Sequence, residues 1–140
     1  MDTDREAALQ KYTSVWKDRT YEGNSFYYRG GTARLRGIIT ELGIKKKDHV
    51  TDWGCGSGLT SKLLSEEGIF VHGIDLAPNC LSEVMEDQPR FYFSQECLWD
   101  LTDKVTDSEW LFCNYVLEHL PEKKLHAVLY QMHKRTTKGG

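Results

Sequence analysis

Apolar positions along this chain follow two alternating rhythms. Short continuous apolar runs, which read as buried strands, occur at His49–Trp53, Phe70–Asp75, Arg90–Ser94 and Trp110–Asn114. Between and after them lie stretches with apolar residues at helical spacing: Leu59–Glu67, Pro78–Met85 and Pro121–Arg135. Pro78 and Pro121 stand where a first helical turn tolerates a missing N–H. Two more helices precede the first strand. One covers Arg5 to Trp16 with Leu9, Tyr12 and Trp16 on one face. The other runs from Thr32 to Leu42 with Leu35, Ile38, Ile39 and Leu42 facing inward, and Gly43 as its stop. The intervening Lys17–Gly31 is irregular and rich in glycine and aromatic residues.

Short apolar strands alternating with amphipathic helices predict an α/β fold, a Rossmann-like, mostly parallel sheet with helices on both faces. Right-handed crossovers give the strand order 3-2-1-4, with a ligand crevice at the carboxyl ends of strands 1 and 4, where the order reverses. The chain stops after its fourth strand and the following helix, where a further strand is expected, so the fold reads as truncated. Trp110–Asn114 would then be an apolar sheet edge, covered by the N-terminal helices, by a second copy or by a partner subunit. Residues 1–31 read as an N-terminal helix and lid-like loop, and 32–140 as a ligand-binding domain.

At 140 residues the chain suits one domain, and its net charge of −3 gives no reason to expect nucleic acid as the main partner. The basic run Lys45–Lys47 reads as a solvated loop. No stretch approaches a membrane span, and the acidic N-terminus lacks an apolar signal region. Cys55, Cys80, Cys97 and Cys113 show neither C-x-x-C spacing nor a paired His motif, so no metal site or disulfide framework is expected. Together these features predict a cytoplasmic protein.

The most specific chemistry lies in Val50-Thr-Asp-Trp-Gly-Cys-Gly-Ser-Gly58, a strand running into a glycine-rich turn and then a helix. Such a turn lets a ligand approach the backbone and directs a helix N-terminus at it. Asp75 ends the second strand, where an acidic side chain accepts hydrogen bonds from a ribose diol. The pair predicts a nucleoside-containing cofactor.

A third marker is Phe112-Cys-Asn-Tyr-Val-Leu-Glu-His-Leu-Pro121. With it the sequence resembles the class I S-adenosylmethionine-dependent methyltransferases, in particular the small-molecule branch that includes ubiquinone-type O-methyltransferases. Val50–Gly58 matches the first family motif with Thr51 as a departure, Val116–Pro121 matches the run after the fourth strand, and Lys138–Gly140 resembles the closing turn without its proline. The resemblance covers residues 32–140. It implies S-adenosylmethionine as cofactor and S-adenosylhomocysteine as product. Gly54, Cys55, Gly56 and Gly58 would pass the methionine part, and Asp52 would orient its ammonium end. Asp75 would bind the ribose, Leu76 would lie against the adenine, Glu96 would take its amino group, and the Cys97 backbone N–H would reach the ring. Asn114 would face the cofactor's amino group, and Arg34 would pair with its carboxylate. Trp99 would shelve the adenine or close the core.

Methyl transfer from a sulfonium is an in-line displacement, so the protein mainly aligns the reactants and excludes water. A general base is needed only if the acceptor must lose a proton, and His119 is the candidate. Tyr21, Phe26, Tyr27, Tyr28 and Arg29 could close over the site as a lid. Other readings use the same motifs: a cofactor-binding fragment or partner subunit without transferase activity, a nicotinamide-dependent oxidoreductase, or another use of the same cofactor such as aminopropyl transfer. The G-x-G-x-G spacing and the run from Asn114 to Pro121 disfavour the nicotinamide reading.

Overall fold

The computed structural model describes residues 2–17, 31–114 and 116–136. Its elements are α1 (Thr3–Lys17), α2 (Gly31–Leu42), β1 (His49–Trp53), α3 (Leu59–Glu66), β2 (Phe70–Asp75), β3 (Phe91–Gln95), β4 (Trp110–Phe112) and α4 (Glu122–Arg135). Short 3₁₀ turns occupy Glu83–Asp87 and Leu117–His119. The four strands form one parallel sheet in the order β3-β2-β1-β4, as the alternating pattern predicts. The expected lid residues Tyr21 and Phe26–Arg29, and the turn Lys138–Gly140, lie outside the described residues.

Alternation along the strands divides the core between the two faces of the sheet. Val50 and Val71 point to one face and pack with Leu35 and Ile39 of α2 and Leu63 and Leu64 of α3. Trp53 and Ile74 point to the other and pack with Leu98, Val105 and Val128, the last from α4. Ile38 and Leu42, expected to face inward, are 37% and 51% exposed. They form the stripe of α2 beside the one that Leu35 and Ile39 bury. Gly43 ends α2 as expected, at φ +74°.

The expected helix Pro78–Met85 is absent. Pro78 and Asn79 form a turn, and only Glu83–Asp87 winds, as 3₁₀. The polar groups of this segment are bonded elsewhere: Ser82 N–H donates to Ser57 O at 3.0 Å, and Asn79 Nδ2 donates to Thr13 O at 2.9 Å. β4 also stops short of the expected Asn114, because its ladder with β1 ends at the Asp52–Phe112 pair. It is an edge strand of three residues. Just before it, Ser108 N–H donates to Arg135 O, so the chain leaving α4 closes part of that edge.

Thr51 has a physical role that explains its departure from the motif. Trp53 is fully buried, and its Nε1–H donates to Thr51 Oγ1 at 3.1 Å. Thr51 and Ser108 hydroxyls lie 3.1 Å apart, and Ser108 Oγ donates to Trp110 O at 2.7 Å. With the Ser108 proton committed to that carbonyl, Thr51 must donate to Ser108. The bonds therefore run in one direction from indole to carbonyl, across the β1–β4 seam. Thr51→Val should strand the indole N–H and cost about 1–3 kcal/mol. Urea unfolding measures this, and an unchanged midpoint would show the relay to be dispensable.

Candidate functional site

The loops after all four strand ends meet at the carboxyl edge of the sheet. The glycine turn follows β1 and is bonded to β2, since Gly54 and Cys55 N–H both donate to Ile74 O, at 2.8 and 3.0 Å. A Cβ at Gly54 (φ +72°) would fall 2.4 Å from Val116 Cγ2. At Gly58 (φ +93°), the cap residue of α3, it would fall 2.8 Å from Met85 Cγ. Backbone conformation and crowding both demand glycine there. Asp75 spans two loops: Oδ2 accepts from Gly56 N–H and Oδ1 from Ala77 N–H, each at 3.0 Å. An ionised carboxylate offers about four acceptor directions, so this leaves capacity for a ligand's hydroxyls.

Asp52, on β1, is buried, and Ser61 Oγ of α3 donates to its Oδ2 at 2.7 Å. Burial pushes its carboxyl up to about 6; the Ser61 bond opposes this and the nearby Asp75 charge adds to it. Asp75 is also raised, first by burial, against the pull of its backbone donors. Two carboxyls that each resist ionisation therefore share the turn. Arg34 is exposed on α2.

The remaining candidates are placed as follows. Leu76 and Asn114 are half-buried at the ends of β2 and β4, and Cys97 is buried after β3. Glu96 is 2% exposed, and its two oxygens accept from Thr102 N–H and Oγ1 at 2.8 and 2.7 Å, which closes the loop between them. His119 is exposed in the turn after β4, beside Glu118 and edge-on to Tyr12. His72 on β2 is buried with Nε2 on Ser94 Oγ, and burial lowers it to about 4.

Sequence reasoning missed the role of α1. This helix has no buried residue, yet it crosses the carboxyl edge of the sheet. A Cβ on Gly56 would fall 2.9 Å from the ring of Trp16. Thr13 O accepts from Asn79, Asp2 Oδ2 accepts from Trp99 Nε1 at 2.7 Å, and Asp4 pairs with Lys123 at 2.9 Å. The helical spacing of Leu9, Tyr12 and Trp16 marked a contact face but not its target. The indole of Trp99, which also packs against the core, is thus tied to α1.

A model of the methyltransferase domain matches residues 50–140, which span the glycine turn, Asp75 and the Val116–Pro121 run. The chain belongs to the class I S-adenosylmethionine-dependent methyltransferases. S-adenosylmethionine is the cofactor that this family uses. Among curated relatives, the ubiquinone biosynthesis O-methyltransferase of Coxiella burnetii is 30% identical over 93 residues, covering 64% of this chain and 39% of the relative. The 18S rRNA (guanine-N(7))-methyltransferase of Bos taurus is 26% identical over 105 residues, covering 68% of this chain and 37% of the relative. The chain thus spans well under half the length of these relatives. Among solved structures, a TehB-like methyltransferase from Corynebacterium glutamicum superposes with a TM-score of 0.68 at 25% identity, covering 96% of this chain and 70% of that one. The magnesium protoporphyrin IX methyltransferase of Synechocystis PCC 6803, solved with bound S-adenosylmethionine, gives 0.76 at 20% identity, covering 98% and 74%. No helix among the described residues is long and apolar enough to cross a membrane.

The folded value of Asp52 lies above its ordinary 3.8, so its contribution to stability is complete below that value and is lost as pH rises through about 6. In an NMR titration of the carboxyl carbon, Asp52 should show a midpoint near 6, and Ser61→Ala should raise it. Asp52→Asn should gain stability over the parent at neutral pH. The parent–variant difference isolates this effect from His72, whose linkage runs the other way: its stabilising contribution is lost as pH falls from 6.5 towards 4. An Asp52 midpoint near 3.8 would contradict the assignment.

Proposed function

We propose that this chain is the cofactor-binding part of a methyltransferase that moves a methyl group from S-adenosylmethionine to a small-molecule acceptor by in-line displacement. The observation that carries the reading is the pair Asp52 and Asp75. Asp52 is buried and Asp75 half-buried at adjacent strand ends around a glycine turn, and burial holds each above its ordinary range. A ligand bearing positive charge and a ribose diol relieves both, through attraction at Asp52 and hydroxyl donors at Asp75. The donor set fits this cofactor on chemical grounds.

When bound, the cofactor supplies an activated methyl on a sulfonium. The protein's part is to bind, align and exclude water. In this reading Asp75 takes the ribose hydroxyls and Asp52 the ammonium end, with the Asn114 carbonyl beside it. Gly54, Cys55, Gly56 and Gly58 keep the main chain close to the amino-acid tail. Leu76 and Cys97 flank the adenine. Glu96 holds the 96–102 loop through Thr102 and, with acceptor directions left over, takes the adenine amino group. Trp16 and α1 cover the turn. His119 serves as base for an acceptor that must lose a proton. Arg34, exposed on α2, pairs with the cofactor carboxylate. The mild net charge of −3 favours a small molecule over RNA as acceptor. A cytoplasmic location and self-association through the β4 edge belong to the same proposal.

A second reading, cofactor binding without transfer, rests on the same glycine turn and Asp75 and needs no acceptor. Calorimetry with S-adenosylhomocysteine, followed by an acceptor screen read for that product, separates the two. The proposed function predicts binding and turnover; binding with no product from any acceptor supports the second reading.

Three variants test the site itself. Asp75→Ala should weaken S-adenosylhomocysteine binding about tenfold to a hundredfold, the loss expected for a buried charge-assisted pair of hydrogen bonds. Affinity in the parent should also fall as pH drops below about 6, because Asp52 must ionise on binding, and Asp52→Asn should flatten that dependence. Trp16→Ala should speed release of the ligand in stopped-flow fluorescence without unfolding the domain. A release rate equal to the parent's would remove α1 from the site.

A further inference from the structure

The fold brings together three side chains that are scattered along the chain. The sulfurs of Cys55 and Cys80 and a carboxylate oxygen of Asp75 all lie within 4.8 Å of one another. Cys55 comes from the glycine turn after β1, Asp75 from the end of β2, and Cys80 from the turn that replaces the expected helix. The placement depends on Gly73: a Cβ there would fall 3.0 Å from Cys55 Sγ. None of the readings above gives Cys80 a function.

We propose that Cys55, Cys80 and Asp75 form a binding site for a soft divalent cation such as Zn²⁺, and that the cation and the nucleoside cofactor exclude each other. Tetrahedral zinc takes sulfur at about 2.3 Å and carboxylate oxygen at about 2.0–2.2 Å, which sets ligand atoms about 3.5–3.8 Å apart. The cluster needs to contract by only about an ångström to reach that geometry. Two thiolates and one carboxylate suit zinc or cadmium rather than magnesium or calcium, which prefer all-oxygen shells. Three protein ligands leave the fourth corner to water. Binding is balanced by proton release: both thiols lose their protons to solvent and the cation takes their place. Exclusion of the cofactor follows because the metal takes the acceptor directions of Asp75 that its backbone donors leave over. That second clause rests on the proposed role of Asp75; the metal site itself does not.

The full chain, reduced with a phosphine, is titrated with Cd²⁺ and followed by its thiolate-to-metal charge-transfer absorption, then back-titrated with Zn²⁺ and assayed for bound metal. One equivalent per chain is expected, with a band of two-thiolate intensity. Cys55→Ser and Cys80→Ser should each weaken binding about a hundredfold. Cys113→Ser should leave it unchanged, and circular dichroism should confirm that all three variants fold. Saturating S-adenosylhomocysteine should weaken metal binding at least about tenfold, with a reciprocal effect of zinc on the nucleoside. Metal binding that survives both cysteine variants, or a Cys55–Cys80 disulfide forming in air faster than cadmium binds, overturns the site. Metal and nucleoside bound together with no mutual effect overturns the exclusion. Failure of metal-free protein to bind S-adenosylhomocysteine tells against the proposed function and leaves the cadmium result standing.

Discussion

Asp75 ties the carboxyl ends of two neighbouring strands to each other. One carboxylate oxygen accepts from Gly56 in the turn after β1, and the other from Ala77 in the turn after β2. Ile74, one residue earlier, accepts from both Gly54 and Cys55. The glycine turn is therefore pinned to β2 at successive residues, and its left-handed backbone is held from outside as well as by its own bond from Gly58 N–H to Cys55 O. The entry to α3, the position of Ser61 against Asp52, and the meeting of Cys55 with Cys80 all depend on that pinning.

The same arrangement concentrates negative groups where they are costly. Asp52 lies in the interior with a hydroxyl donor and a second carboxyl nearby, and it holds its proton up to about 6. Stability alone would not select two such carboxyls side by side, since each ionised group raises the cost of the other. In the proposed reading, a charged ligand relieves that cost on binding. The family's cofactor carries that charge. In this account α1 is the cover: beside the Trp16 ring over Gly56, its contacts with the loops after β2 and β3 and with α4 are polar, and none of its residues is buried.

Much of this was legible in the residues. Periodicity located β1 and β2 to the residue and β3 to within one, and the parallel order followed from right-handed crossovers. The glycine turn and Asp75 could be read because their chemistry is local: a strand, a turn and an acid at a strand end. The helix expected at Pro78–Met85 failed for the opposite reason. Its polar groups bond to Ser57 and to α1, partners that no local pattern names. Ile38 and Leu42 show that helical spacing marks an apolar surface without saying which part of it finds a neighbour. Thr51 looked like a flaw in the motif and proved to be the middle of a buried relay from Trp53 to Trp110.

By itself the sequence determined the fold class, the strand order and the kind of ligand, because each rests on short-range pattern and backbone stereochemistry. Only the tertiary structure decided that Cys80 joins Cys55 and Asp75, that Glu96 turns inward to Thr102, and that α1 lies across the ends of the strands. Those are meetings between side chains distant along the chain. Their partners are chosen by how the sheet and its loops pack in space, and spacing along the chain carries no record of that choice.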